Sequence, residues 1–428
     1  MTVLLQRAEV EGEQVDVRLD GEVVSAIGQL APLPDEEVID AAGGAVLPGL
    51  HDHHIHLLAL AAAQASVDVG SGLAPLARVP GTGWLRAVGW TGDGDRFTLD
   101  AVRADRPVRV QHRSGALWVV NSRGVEELAL RDVDLPGVER DLTGEPTGRL
   151  WRLDAWLGAR IGREAPDLEG LGRRLARLGL TGLTDATPDL DRETCTLLRR
   201  SLPQELLLLG DPEGEGPVKI VLPDHELPSL EELITAIASA RPRPVAVHCV
   251  TREALALLLA ALREVGATRG DRVEHGALIP LDVSNQLPAV VTQPGFLLDR
   301  GDDYLRDVDS RDLPDLYRYR TLLDQGCPVV PSSDAPYGPV DPWTVMRAAR
   351  DRRTASGTLM SAADRVSVAD ALDGMLRPLH DLQAPARRVV SGAPADLVLL
   401  HTSLPDALAD PDSGLVRATW REGRRIDE

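Results

Sequence analysis

Eight short apolar segments recur between residues 45 and 334, most of them separated by stretches with helical spacing, and no other feature of the sequence restricts the fold so strongly. They are AVLPGL (45–50), PVRVQH (107–112), LTGLTDAT (180–187), VKIVL (218–222), PVAVHC (244–249), RVEHG (272–276), AVVTQP (289–294) and CPVVPSSD (327–334). Runs at 168–178, 229–240, 252–265 and 315–324 place apolar residues at three- and four-residue steps, which predicts amphipathic helices. Near-continuous apolar strands require burial on both faces. Eight strand-then-helix units over about 300 residues match a (β/α)8 arrangement. The expected fold class is therefore α/β, a TIM barrel spanning 48–387.

The ends of the chain have a different rhythm. VDVRL, the turn Asp20-Gly21 and EVVSAIG alternate as strands joined by a tight turn. Strand patterning returns after about residue 385 in RRVV, PADLVLLH and LVRATWREGRRI. Residues 1–47 and 388–428 are thus expected to build one small β-sandwich domain from both termini. The long gap at about 57–106 holds the Gly- and Trp-rich GTGWLRAVGWTGDGD and reads as an insertion over the barrel mouth.

Charge narrows the partners. With 46 basic against 66 acidic residues, a net −20, the chain repels polyanions, and 7 Trp, 4 Tyr and 2 Phe are too few for a base-stacking surface. No nucleic acid and no membrane partner is expected, and the longest apolar run, 254–262, is about half of a span. The N-terminus lacks a basic leader, so a cytoplasmic location is expected. Cys195, Cys249 and Cys327 are odd in number and far apart, which suits reduced thiols. The remaining partner is a small-molecule substrate, with a homodimer the commonest soluble assembly open to the chain.

One lysine, Lys219, stands among 46 basic residues, inside the apolar stretch GPVKIVL. Arginine can supply a solvated charge anywhere on a surface. It cannot supply a neutral amine, whereas a buried lysine can lose its proton. A chance survivor is the competing reading of that lysine.

Active sites of (β/α)8 barrels sit at the carboxyl ends of the strands, and polar residues able to bind metal fall there. His54 and His56, two apart, share a face of an extended segment. Lys219 lies on the fourth segment, His248 ends the fifth, His275 the sixth and Asp334 the eighth. A lone histidine is more often a hydrogen-bonded structural residue than a ligand. Four of the ten histidines closing β-segments is a different matter. His51 and His53 have the opposite parity and read as structural, His112 is a candidate lining residue, and His225, His380 and His401 fall in turns or the tail. Arg113, Gln293 and Tyr337, each just past a strand, are candidate substrate-binding residues, and an arginine there would favour a carboxylate-bearing substrate.

PGLHDHHIHL (48–57) resembles the PGxxDxHxH signature of the amidohydrolase superfamily. PVRVQHRSGALWVVNS, EPTGRL, LGLTGLTDAT, VAVHCVTREA, RVEHGALI, PSSDAPYGPVDPW and GAPADLVLL are similar to its YtcJ-like branch, also called amidohydrolase family 3, so the resemblance covers nearly the whole chain. The Asp-Gly-His common in that branch near the second strand is absent, HRSGALWVVNS standing in its place. The resemblance implies a binuclear centre of two divalent metal ions, zinc first among those that His and carboxylate ligands accept. His54, His56 and Asp334 would hold one ion and His248 and His275 the other, while Lys219, carboxylated by carbon dioxide as a carbamate, would bridge them.

The chemistry then expected is hydrolysis of an amide, imide or related C–N bond of a small molecule by a metal-bridging hydroxide, with Asp334 as catalytic general base passing the proton to the departing nitrogen. Glu274 and Asp52 are candidates for supporting the histidines. Ester or lactone hydrolysis at the same centre is the nearest alternative. A mononuclear deaminase generally omits the bridging lysine and places a glutamate closer to the fifth-strand histidine than HCVTRE does. A catalytically inactive interaction protein would be expected to have lost ligands, and all six positions are filled.

Overall fold

Val247, Val273, Val290 and Val330 have nothing polar to offer water on either side of a sheet, and each is fully buried, a gain of roughly 1.5–3 kcal/mol per side chain. In the computed structural model, which describes residues 2–161, 166–223, 225–283 and 286–428, they lie in a five-stranded parallel sheet. Its order is Val218–Val221, Val245–Cys249, Arg272–His275, Ala289–Thr292, Val329–Pro331, each strand beside its sequence neighbour. A second parallel sheet has the order Glu205–Leu208, Leu180–Asp185, Leu50–Ile55. Backbone bonds run between the ends of the two sheets. The Lys219 N–H donates to the Leu209 carbonyl at 3.0 Å, and the Asp334 N–H to the His54 carbonyl at 2.8 Å.

Two of the intervening helices start at the caps their sequences carry. Ser229 and Glu232 form a reciprocal capping box at the start of Leu230–Ala240. Thr251 caps Arg252–Val265, which stops at Gly266 with φ 88°. The expected helix over 315–324 is shorter, only Arg320–Asp324. Tyr317 takes a left-handed backbone (φ 47°), packs edge-on against Phe296, and its carbonyl and that of Leu316 accept the Arg352 guanidinium at 2.8 Å. Those tertiary bonds displace the helical ladder.

Three strand expectations change. The segment 45–50 divides: Val46–Pro48 pairs antiparallel with Leu397–Leu400, and the parallel strand proper is Leu50–Ile55. Gly49 marks the switch, since a Cβ there would lie 2.1 Å from the Thr181 side chain. The 107–112 segment belongs to neither parallel sheet. Val108–His112 pairs with Leu85–Trp90 and Leu117–Val120 instead, and its alternation, Val108 and Val110 buried with Arg109 between them half-exposed, suits a strand buried on one face. Glu205–Leu208, a strand the periodicity did not reveal because its leucines suit a helix as well, pairs with Leu180–Asp185.

The chain separates into two compact units, Met1–Leu57 with Leu168–Glu428, and Leu58–Asp167. The first contains both parallel sheets and two terminal ones. One terminal sheet has the order Val23–Gly28, Glu13–Asp20, Thr2–Val10, Glu37–Asp40, the other Arg424–Arg425, Val416–Arg421, Leu397–Leu400, Val46–Pro48. Leu5, Val17 and Leu19 from the start share one apolar cluster with Leu397, Leu399 and Trp420 from the end. The second unit is a six-stranded sheet of order Val138–Arg140, Pro146–Trp151, Leu117–Val120, Val108–His112, Leu85–Trp90, Val67–Asp68. Its apolar residues gather around Leu99 and Val110 and around Trp118 and Leu150.

Candidate metal centre

Strand alternation sorts the histidines of HDHHIH. His51 and His53 point to the helix side, their Nδ1 and Nε2 lying 2.9 and 3.1 Å from the carbonyls of Arg377 and Gly374. Burial keeps both neutral, His53 with its pKa lowered to about 3. His54 and His56 turn the other way, toward Asp334. His54 Nε2 is 3.4 Å and His56 Nε2 3.3 Å from Asp334 Oδ1, and among the described residues these three groups can present ligand atoms all within 4.8 Å of one another.

His275 and His248 continue the cluster. The ring of His275 is centred 4.8 Å from that of His54 and 4.5 Å from that of His248, and its Nδ1 lies 3.9 Å from Asp334 Oδ2. Parallel register puts His248 opposite Glu274 and Cys249 opposite His275 at the strand ends. Lys219, on the neighbouring strand, is close enough for its charge to lower the pKa of His54, His275 and Asp334. Part of the lysine side chain reaches solvent, yet desolvation of the amine lowers its own pKa against the pull of Glu274 and Asp334.

His54, His56 and His275 are each held from behind. His54 Nδ1 donates to Glu274, whose other oxygen takes the Arg272 guanidinium. His56 Nδ1 lies 3.3 Å from the Thr187 hydroxyl. His275 Nδ1 lies 2.9 Å from Gln293 Oε1. Gln293 spends its amide on Ser332 Oγ at 3.0 Å and the Val291 carbonyl at 3.2 Å, so its oxygen is left to accept from His275. With Nδ1 protonated on His54 and His275, the Nε2 of each is the lone-pair nitrogen.

Electrostatics favour neutral imidazoles and an ionised carboxylate. Burial drives the pKa of His54 and His275 well below the usual value. Burial would raise Asp334, but His56, His275 and Lys219 hold it below its ordinary value. Burial likewise opposes the Glu274 carboxylate, and Arg272, His54 and Lys219 outweigh it. Asp52, pushed up to about 6 mainly by burial, accepts from the backbone N–H of His54 and of Ser333, both at 3.2 Å. His275 and Asp334 both have left-handed backbone, φ 70° and 52°, a cost of about 1–3 kcal/mol each of the sort concentrated at functional positions.

The residues fit a divalent cation. His54 Nε2 and Asp334 Oδ1 are buried and, among the described residues, have no hydrogen-bond partner, which in a closed core would be costly unless something else binds them. Imidazole nitrogen with carboxylate oxygen is a donor set that zinc and similar ions accept.

The three substrate candidates separate. Tyr337, 41% exposed, sets its ring edge-on to His56 with centroids 5.5 Å apart. Gln293 is fully buried and committed to His275, so it supports a ring and does not offer itself to a substrate. Arg113 belongs to the Leu58–Asp167 unit, where its N–H donates to the Trp90 carbonyl at 2.7 Å. Sequence reasoning missed Thr187 and Asp185. Asp185 accepts from the N–H of Leu57 and Thr187 at 2.8 and 3.0 Å and so fixes the backbone flanking His56, and both residues were visible as polar positions closing LTGLTDAT.

The sequence profile of the amidohydrolase family matches residues 37–427, and the chain belongs to that family. The N-substituted formamide deformylase of Arthrobacter pascens is 24% identical over 443 residues, covering 80% of each chain. Dihydroorotase of Bacillus pumilus (strain SAFR-032) is 55% identical over 47 residues, so the chain spans only 11% of that relative's length. Among solved structures, an uncharacterized metal-dependent hydrolase from Pyrococcus horikoshii OT3 superposes with a TM-score of 0.73 over 99% of this chain and 100% of its own, at 20% identity, a likeness of fold.

Proposed function

We propose, from membership of the amidohydrolase family, that the protein is a metal-dependent hydrolase cleaving an amide, imide or related C–N bond of a small molecule, with Asp334 as general base. One observation carries the reading: His54, His56 and Asp334 can bring their ligand atoms within 4.8 Å of one another, and two of those atoms are buried and, among the described residues, unpartnered. The match to N-substituted formamide deformylase, whose name specifies an amide-type bond, supports a C–N substrate over an ester.

In this reading His54, His56 and Asp334 would hold one divalent cation and His248 and His275 a second. Lys219, with its amine pKa lowered by desolvation, would be the residue to take up carbon dioxide as a carbamate, losing a proton to solvent, and so supply both cations with a further oxygen ligand. Zinc suits the donors. Bound cations supply Lewis acidity, lowering the pKa of water and polarising a carbonyl oxygen. The chain supplies the rest. Asp334 stays ionised at neutral pH and can take the proton of the attacking water, then deliver it to the leaving nitrogen. Neutral His54, locked by Glu274, keeps its Nε2 lone pair turned toward Asp334, and neutral His275 is fixed beside it by Gln293, neither competing for that proton. Tyr337 stands beside His56, where it can bound the substrate on one side.

The bonds from Lys219 to Leu209 and from Asp334 to His54 support the further reading that the two parallel sheets close into one (β/α)8 barrel, with the terminal sheets as a sandwich beside it. The test of function is turnover. Purified protein loaded with zinc is expected to hydrolyse members of an N-acyl and cyclic amide panel faster than the matched esters; ester cleavage with no amide cleavage would overturn the C–N assignment.

A further inference from the structure

Arg272 is 2% exposed, an unusual place for a guanidinium, and it lies two residues from Glu274, on the same face of strand Arg272–His275. Its Nε donates to Glu274 Oε1 and its Nη2 to the carbonyl of His53 at 2.7 Å. The second Glu274 oxygen receives Nδ1 of His54. One cation therefore grips the His54 position twice, through the backbone just before it and through the carboxylate behind its ring. A buried ion pair is weak evidence for stability, because desolvation cancels most of the attraction, and apolar residues could have filled the same space. The arrangement is better explained by what it does to the ring.

We propose that Arg272 is a positioning residue for cation binding, acting through Glu274 to hold His54 with Nδ1 protonated and Nε2 presented toward Asp334. This rests on the metal-dependent reading above. By occupying Oε1, Arg272 leaves Oε2 as the one oxygen turned to His54, and by holding the His53 carbonyl it fixes the strand from which the ring projects. Partners behind a metal-binding histidine typically govern affinity by about 10–100-fold.

The experiment measures zinc stoichiometry by elemental analysis and zinc affinity by chelator competition on the full chain, for wild type, Arg272→Met, Glu274→Gln and the double variant, with circular dichroism as the folding check. Arg272→Met is expected to weaken binding of the zinc held by His54 by about 10–100-fold. In the Glu274→Gln background the same change is expected to have a clearly smaller effect, because the route through Glu274 is already cut and only the hold on the His53 carbonyl remains to be lost. Folded Arg272→Met with wild-type zinc affinity overturns the proposal, as does an undiminished Arg272 effect in the Glu274→Gln background. Should Arg272→Met not fold, Arg272→Lys takes its place: a single ammonium in place of the guanidinium fork cannot reproduce both bonds, so several-fold weaker zinc binding supports the proposal and unchanged binding overturns it. Wild-type protein that takes up no zinc overturns the metal-dependent reading and this one together, whereas wild-type binding with insensitive variants overturns this one alone.

Discussion

Gln293 presents its carbonyl oxygen to His275 Nδ1 at 2.9 Å because its amide is already bound to Ser332 and Val291. The orientation of a proposed ligand is thus fixed by the strand after the one that carries it. Gln293→Leu removes the acceptor and is expected to lower divalent-cation affinity by about 10–100-fold, while Gln293→Glu, which keeps an acceptor, loses much less. Chelator competition on the two variants checks this; equal affinities would remove Gln293 from the site.

Asp334→Asn keeps the shape of the side chain and removes its basicity. Turnover is expected to fall by about 10²–10⁴-fold with the melting temperature nearly unchanged, as measured by kcat on the best amide substrate and by thermal denaturation. Turnover within twofold of wild type would show that another group takes the proton.

Chelation followed by dialysis is expected to abolish activity, and added zinc to restore it. Lys219→Arg retains the positive charge but has no amine able to form a carbamate, so it is expected to stay inactive at any zinc concentration. Recovery of Lys219→Arg to wild-type kcat would rule out the bridging role.

The Cys327 thiol, pushed by burial from an ordinary 9.0 up to about 12, makes stability fall at high pH. Above pH 9.0 the unfolded chain releases this proton and the folded chain keeps it, so the unfolded state binds fewer protons and stability declines until the pH passes about 12. Denaturant titrations of wild type and Cys327→Ala at several pH values test this. The variant is expected to lose less stability between pH 8 and 11, and parallel losses would refute the assignment.

Trp343 is fully buried, and its Nε1–H donates to the Leu178 carbonyl at 3.2 Å. Trp343→Ala is expected to cost about 3–5 kcal/mol, through the cavity and the orphaned carbonyl together. Equilibrium urea unfolding would measure it, and a loss under about 1 kcal/mol would mean that the site collapses to fill the space.

The sequence made some of this legible and not the rest, for physical reasons. Period-two and both-face apolar patterns report burial directly, so Val245–Cys249, Arg272–His275 and Ala289–Thr292 could be read as parallel strands, and parity separated His54 and His56 from His51 and His53. Glu205–Leu208 was hidden because a run of leucines has no period. The turn at Tyr317 was hidden because Arg352, 35 residues away, decides it. Glu274 could be read as a candidate support, but which ring it serves could not, and Gln293 reads as a substrate contact: the pairs Glu274 with His54 and Gln293 with His275 lie 220 and 18 positions apart, a separation local patterning does not encode.

Leu5 and Trp420 lie in one apolar cluster although roughly four hundred residues separate them along the chain. During synthesis the oily face of Thr2–Val10 therefore emerges from the ribosome long before Leu397–Leu400 and Val416–Arg421 exist to cover it. For that whole interval it is a surface for chaperones to shield, and clipping the chain before Leu397 would leave it open for good.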